Sequence, residues 1–327
     1  MAKRYIEIAK IIRDRIESGV YKAGEPLASR PELAREFGVA RATVDRCIEF
    51  LVSNGTLLSR QGSGTYVNAD AARDTRKIAF VCASGSMGQL RSDAFAKLFF
   101  LSYEQLKNQS SRAELVKYDG ILWYRPEERA IEWAANLKSK LPQVLINRTV
   151  DEFHCVSTDH KGAYKEITSE RLKLLPRVYP FLLRHATDGL VSSYREKGFV
   201  EACREAGRFY EVISMPDEFE EKMSVLKEHF DAHTGKPLLV VSASLSHSGA
   251  FILWARDAGL KWKKDVYYSD FDNNYERGVW GVKVSSYIQN DQDVLTASVR
   301  KIVNLVSGKN AGEKHILIFP RRINGET

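Results

Sequence analysis

Arg41, Ala42, Thr43, Asp45 and Arg46 fall on one side of a short segment whose other side carries Val44, Cys47, Ile48 and Leu51 at helical spacing. Two arginine forks, a threonine hydroxyl and a carboxylate on one open helical face are equipment for hydrogen-bonding base edges and phosphates. A little further on, Gln61-Gly62-Ser63-Gly64 separates Thr56-Leu57-Leu58-Ser59 from Thr65-Tyr66-Val67. That is a hairpin pattern with a flexible tip, and such a tip can press backbone amides against phosphates. Catalytic signatures do not accompany these features: there is no G-x-S-x-G elbow, no zinc-hydrolase motif and no phosphate-binding lysine loop. His154, Cys155 and His160 are close in sequence but lack metal-ligand spacing. No enzyme activity, cofactor or metal is expected.

The elements around the polar face are legible. Ser29 can cap a helix while Glu32, three residues on, reaches back to it. Leu33, Ala34 and Phe37 form an apolar face, and Gly38 has the backbone freedom that ends a helix. Gly38-Val39-Ala40 is then a turn into the helix beginning at Arg41, which Asn54-Gly55 stops. Upstream, residues 5–18 predict a helix with Tyr5, Ile8, Ile12 and Ile16 along one stripe and Gly19 at its end. Helix, turn, helix and glycine-tipped hairpin in that order predict a winged helix-turn-helix over residues 1–68, whose second helix fits the DNA major groove. Residues 69–76, NADAARDTR from Asn68 on, are polar without apolar period and read as a linker.

From residue 77 the pattern changes. Apolar runs KIAFVCA, GILWY, QVLI, VYPFLL, PLLVVS and DVYYS predict buried strands, with a short one near Val212-Ile213. Between them, helices are expected over 93–107, 127–139, 161–173, 194–206, 219–233 and 248–258. This alternation predicts an α/β body of parallel sheets covered by helices on both faces, with ligands at the carboxyl ends of strands. Between Lys107 and Asp119 there is little room for a full strand-helix unit, so that stretch is read as truncated or as a stub at 114–117.

The whole chain has 327 residues, 44% of them hydrophobic, and a formal net charge of +7. Two or three domains fit that length, and the charge favours an anionic partner without choosing among DNA, RNA and acidic surfaces. Cysteines 47, 82, 155 and 203 show no C-x-x-C spacing and read as buried thiols of a reducing compartment. MAKRYIEIAK lacks a signal-peptide core, and no apolar run is long enough for a bilayer, so a cytoplasmic location is expected.

SRPELAREFGVARATVDRCIEFL followed by RQGSGTYV resembles the DNA-binding head of GntR-family transcription regulators. The resemblance implies that Arg41 and Thr43 touch bases or nearby phosphates and that Gly62, Ser63, Gly64 and Thr65 form the wing, with Ser29 and Arg30 beside them. Three positions depart from the family pattern. Ala40 replaces a capping Ser or Thr, Pro31 stands where an arginine is usual, and Asp45 replaces a common basic residue. A carboxylate there repels phosphate unless it accepts from cytosine N4.

The remainder, with YDGILW, LPQVLINR, VSTDHKGAY, SSYREKGFVEACREAG and DVYYSDFDN in order, resembles the effector domain of lactose- and galactose-repressor-type regulators, itself similar to periplasmic sugar-binding proteins. Head and body together resemble the arabinose-repressor subgroup. The resemblance implies two α/β lobes joined near residues 174, 285 and 311, a small-molecule effector clamped between them, and a homodimer on a double-stranded DNA operator. It places Arg148, Asp159, Arg195 and Asp272 at the effector, with Ser84, Ser86 and Gln89 after the first strand as further candidates. Among the aromatic residues, Tyr275 or Trp280, which follow FDN, are the ones expected to stack on a sugar face. An arginine fork with carboxylates suits vicinal hydroxyls. Ala243-Ser244 replaces the family's Asn-Asp, which argues against a familiar hexose. The alternatives are a body that only dimerises, and a sugar binder of the same fold outside transcription.

Overall fold

The computed structural model describes residues 4–53, 56–60, 63–68, 76–84, 97–186, 189–230, 236–275 and 280–327. The chain divides into two compact units, Met1–Val156 with Gln292–Ile316 and Ser157–Asp291 with Leu317–Thr327.

The head begins with α1 (Arg4–Glu17), α2 (Arg30–Glu36) and α3 (Arg41–Ser53). Ile8, Ile12 and Ile16 of α1 meet Leu33 of α2 and Val44, Cys47, Ile48 and Leu51 of α3 in one buried cluster. The apolar stripes read from the sequence are therefore the faces that pack. Strands β1 (Leu57–Arg60) and β2 (Gly64–Val67) pair antiparallel, with Arg60 opposite Gly64. The segment before α2 joins this ribbon: the Leu27 amide donates to the Thr65 carbonyl (2.7 Å) and the Val67 amide to the Glu25 carbonyl (2.9 Å). That ties the hairpin to the helices.

The first unit also holds a six-stranded sheet in the order β13-β7-β6-β5-β3-β4. Its strands are β3 (Lys77–Cys82), β4 (Lys97–Ser102), β5 (Gly120–Tyr124), β6 (Gln143–Ile146), β7 (His154–Thr158) and β13 (His315–Ile318). The helical reading of 93–107 fails over Lys97–Ser102. Lys97–Ser102 is a strand parallel to β3, Lys77 opposite Lys97 and Cys82 opposite Ser102. A continuous run such as Leu98-Phe99-Phe100-Leu101 carries no period that separates strand from helix, so pairing with β3 decided it; residues 93–96 lie outside the described set. The connection from β4 to β5 is made of short pieces: a 3-10 turn Gln105–Lys107, α4 (Gln109–Ala113) and a second 3-10 turn Glu114–Lys117. The stub at 114–117 is thus a 3-10 turn whose Leu115 is buried in the core, and the strand lies earlier. Beyond β5, α5 (Glu128–Leu137) buries Ala130, Ala134 and Leu137 against the sheet. Across the sheet's other side, a Cβ on Gly120 would lie 2.9 Å from Val306.

The second unit contains α6 (His160–Leu174), β8 (Tyr179–His185), α7 (Leu190–Glu205), β9 (Glu211–Met215), α8 (Phe219–Phe230) and β10 (Leu238–Ser242). α9 (Ser248–Asp257), β11 (Val266–Phe271), β12 (Ser285–Ile288) and β14 (Arg321–Ile323) complete it, with α10 (Asp291–Val306) leading back to the first unit. Its sheet runs β14-β12-β11-β10-β8-β9, parallel except for β14 against β12. The chain passes between units at 156/157, 291/292 and 316/317, the last two close to the crossings expected near 285 and 311 and the first well before the one expected near 174. The largest difference arises because α6 buries Ala163, Tyr164, Ile167 and Leu172 with Leu182, Phe199 and Leu239 of the second unit. All four cysteines are buried and free.

Candidate nucleic-acid interface and ligand site

The α2 cap forms as read. The Ser29 amide and hydroxyl each donate to Glu32 Oε2 at 2.8 Å, which holds the Glu32 carboxyl below its usual range. Gly38 takes φ +61°, a left-handed conformation that turns the chain toward α3. With Ala40 at the start of α3, only its backbone caps: its carbonyl accepts from the Thr43 amide at 2.9 Å.

Arg41, Ala42 and Arg46 are exposed on α3, and Thr43 and Asp45 are half-buried. Asp45 stands between two arginines. Its Oδ1 lies 2.8 Å from Nε of Arg30, and its Oδ2 lies 3.8 Å from Nε of Arg41. The carboxylate that a phosphate would repel is thus already paired. Arg46 is turned onto the Tyr5 ring of α1, 4.8 Å from its centroid, so one of the expected DNA contacts also braces the head.

In the wing, Ser63 and Gly64 are exposed and Thr65 is half-buried; Gly62 lies outside the described residues. Gly64 has φ +109°, open only to glycine without strain. The Tyr66 hydroxyl donates to the Ser63 carbonyl (2.9 Å) and meets Ser63 Oγ at 2.7 Å, while Arg60 stacks on the Tyr66 ring 4.8 Å from its centroid. Arg60 and Tyr66 are wing residues that the sequence reading passed over; Arg at β1 and an aromatic on the facing strand were the available signal.

In the second unit Arg195 of α7 is buried. Its guanidinium lies 3.9 Å from the Phe271 ring centroid, Nε donates to His160 Nδ1 at 3.3 Å, and Nη1 donates to the Ala243 carbonyl. His160 and Phe271 were not among the expected site residues, because an apolar ring beneath a guanidinium has no sequence signature. Asp272 follows Phe271 at the carboxyl end of β11 with φ +66°, and accepts from the backbone amide (3.2 Å) and side-chain amide of Gln289. Burial, the largest effect, raises the pKa of the Tyr164 hydroxyl; Arg195 lowers it, and Asp270 and Asp272 raise it. Asp270 is buried; that burial pushes its carboxyl up, against hydrogen bonds from Ser248 and from Asn273 Nδ2 (2.7 Å).

Asp159 caps α6, its Oδ1 accepting from the Gly162 amide at 2.7 Å. Tyr275 is exposed and meets Trp280 edge-on at 6.4 Å. In the first unit Arg148 donates from Nε to the Pro126 carbonyl (3.1 Å) and from Nη1 to the Asn147 carbonyl (2.6 Å). Ser84 is exposed and borders a cavity of about 400 Å³ with Tyr103, Glu127, Arg129 and Trp133. Ser86 and Gln89 lie outside the described residues. Among the described residues no group of three or more His, Cys, Asp or Glu could hold a metal, and no helix is long and apolar enough to cross a membrane.

Residues 4–67 match the model of bacterial regulatory proteins of the gntR family. Over 66 residues, 20% of this chain and 28% of the relative, the head is 44% identical to the mannosyl-D-glycerate transport/metabolism system repressor MngR of Escherichia coli (strain K12). Similarity extends further to the arabinose metabolism transcriptional repressor of Halalkalibacterium halodurans, 24% identical over 237 residues, 63% of this chain and 62% of that one. The chain thus spans less than two thirds of the length of either relative. In fold, a regulatory protein of LacI family from Chloroflexus aggregans superposes with a TM-score of 0.61 at 18% identity, covering 76% of this chain and 96% of that one. The chain therefore carries a gntR-family helix-turn-helix head on an α/β body with the fold of LacI-family regulators.

Proposed function

We propose that this protein is a cytoplasmic, sequence-specific DNA-binding regulator, a repressor whose operator affinity is set by a sugar or related polyol bound to its α/β body. The observation that carries the reading is the head's open α3 face with Arg41 and Thr43, accompanied by Arg30 and the Arg60-bearing wing. Arginine forks on a groove-sized helix supply base readout, and wing residues supply salt-dependent phosphate contacts. Relatives named as repressors of arabinose and mannosyl-D-glycerate systems support both the sign and the ligand class. Ser29, Arg30, Arg41, Ala42, Thr43, Asp45, Arg46, Gly62, Ser63, Gly64 and Thr65 make up the DNA-facing set. Arg195 and Asp272, with Asp159 and Tyr275, make up the effector-facing set of the second unit, and Ser84, Ser86 and Arg148 that of the first.

The protein acts as a homodimer, its two heads on the half-sites of a pseudo-palindrome, and it carries out no catalysis. The effector changes operator affinity only by its difference in affinity for the DNA-competent and DNA-released states. The test is a gel shift on the DNA upstream of the gene and its neighbours, with and without a panel of pentoses, hexoses and disaccharides. Binding that Arg41→Ala abolishes and one sugar reverses supports the reading; binding unaffected by Arg41→Ala removes α3 as the reading helix.

A second reading, a body that dimerises without ligand, is favoured by Arg195 already serving His160 and Ala243. Calorimetry that detects heat with no sugar while operator binding persists selects it.

A further inference from the structure

We infer that Asp45 is a positioning residue that holds Arg30 and Arg41 as a pair of guanine readers, and does not itself read a base. The inference rests on the DNA-binding reading above. Arg30 is the first residue of α2 and Arg41 the first of α3, so the two arginines come from separate helices. Asp45 gathers them: each carboxylate oxygen lies against the Nε of one arginine, at 2.8 Å for Arg30 and 3.8 Å for Arg41.

Stability does not account for this arrangement. The side chains are 41%, 71% and 38% exposed for Arg30, Arg41 and Asp45, and ion pairs so open to water contribute little to folding. Within α3 the order, arginine four residues before the acid, is also the weaker one for a helix. Nor does direct phosphate contact account for it, because a lone carboxylate on this face weakens backbone binding.

Geometry supplies a different role. With Nε against Asp45, the Nη1 and Nη2 groups of each arginine remain as an end-on fork. Neither Nε contact is a hydrogen bond, since Arg30 Nε has no hydrogen-bond partner and Arg41 Nε stands 3.8 Å off, so Asp45 acts on both through charge. Among the described residues Nη1 and Nη2 of the two arginines make no hydrogen bond either. Such a fork matches O6 and N7 of guanine, the commonest specific contact in the major groove. An arginine side chain free in water gives up much rotamer freedom on docking; one held by an ion pair at Nε has given up part of it already. The three residues together keep a net positive charge, so the carboxylate sharpens base choice without reversing attraction to DNA. The departure at Asp45 from a basic residue is then coupled to the presence of Arg30 one residue before Pro31.

The experiment uses the full chain. A random duplex library is selected with the wild-type protein, and the enriched motif is rebuilt as a panel with each guanine changed to adenine or to 7-deazaguanine, which lacks the N7 acceptor. Expected for wild type is a loss of roughly tenfold at each of two guanine positions for either change. Asp45→Ala should flatten those preferences to within about threefold, bind unrelated duplex as tightly or more tightly, and steepen the dependence of log K on log salt by about one. Asp45→Glu, which retains the carboxylate, should restore part of the guanine preference. Unchanged guanine preference in Asp45→Ala overturns the inference, as does a wild-type protein indifferent to 7-deazaguanine but sensitive to methylation of a cytosine N4. A wild-type protein that enriches no motif overturns the DNA-binding reading itself, and this inference with it.

Discussion

Arg195 lies over the Phe271 ring, guanidinium carbon 3.9 Å from the ring centroid, with His160 at its Nε and the Ala243 carbonyl at Nη1. A planar cation held against an aromatic ring by two further polar partners is fixed in orientation before any ligand arrives. Phe271 is the last residue of β11 and Asp272 the next, so the ring under the guanidinium and the carboxylate follow one another at a strand end.

Arg195→Lys keeps the charge and loses the plane. Effector affinity is expected to fall tenfold or more, in line with about 1.5–3 kcal/mol for a hydrogen bond to a charged group. Operator binding without effector should stay within about threefold. Calorimetry on the sugar panel and a gel-shift titration measure the two effects separately; an unchanged effector affinity removes Arg195 from the site.

Gly64 holds the wing tip at φ +109°, where an L side chain is strained although no atom crowds the position. Gly64→Ala should distort the hairpin at a cost of about 1–3 kcal/mol. DNA affinity is expected to drop roughly five- to twentyfold while the base preference selected from a library stays the same, because phosphate contacts position without specifying. A changed motif would mean that the wing reads bases.

Gly198 sits where α7 crosses α6. A Cβ there would lie 2.2 Å from the Lys161 carbonyl oxygen and 3.0 Å from the Lys165 amide nitrogen, backbone atoms that cannot step aside singly. Gly198→Ala is expected to destabilise the second unit by about 3 kcal/mol. Urea unfolding followed by tryptophan fluorescence would show the midpoint fall; a wild-type midpoint would mean that the two helices separate freely.

His247 is fully buried, packed 4.6 Å centroid to centroid from His185. Burial, then the charges of His185 and Lys222, hold its imidazolium pKa down to about 3; His185 is lowered as well, chiefly by burial. An unfolded histidine takes its proton near pH 6.5, so between there and pH 3 the unfolded chain binds a proton that the folded chain refuses. Stability is therefore complete above about pH 6.5 and lost as pH falls, by about 1.4 kcal/mol per pH unit for His247 alone. His247→Leu should flatten that slope by one proton's worth between pH 6 and pH 4 in urea titrations. An unchanged slope would place the acid sensitivity elsewhere.

Much of the head was settled by short-range chemistry. A capping serine with its partner glutamate three residues on, an apolar stripe at helical spacing and a glycine turn specify α2 and α3 before any distant residue is involved. Uninterrupted apolar strands such as GILWY likewise require both faces covered, which selects a parallel sheet. Tertiary structure decided what depends on partners far along the chain. Leu98-Phe99-Phe100-Leu101 could be buried as helix or strand until β3 supplied a pairing edge. Asp45 looks misplaced beside DNA until Arg30, fifteen positions earlier, is seen against it. Arg195 becomes a fixed fork only on Phe271, 76 residues away. Periodicity and caps report on neighbours within a turn or two, whereas the sites are made by side chains that only the folded backbone brings into reach.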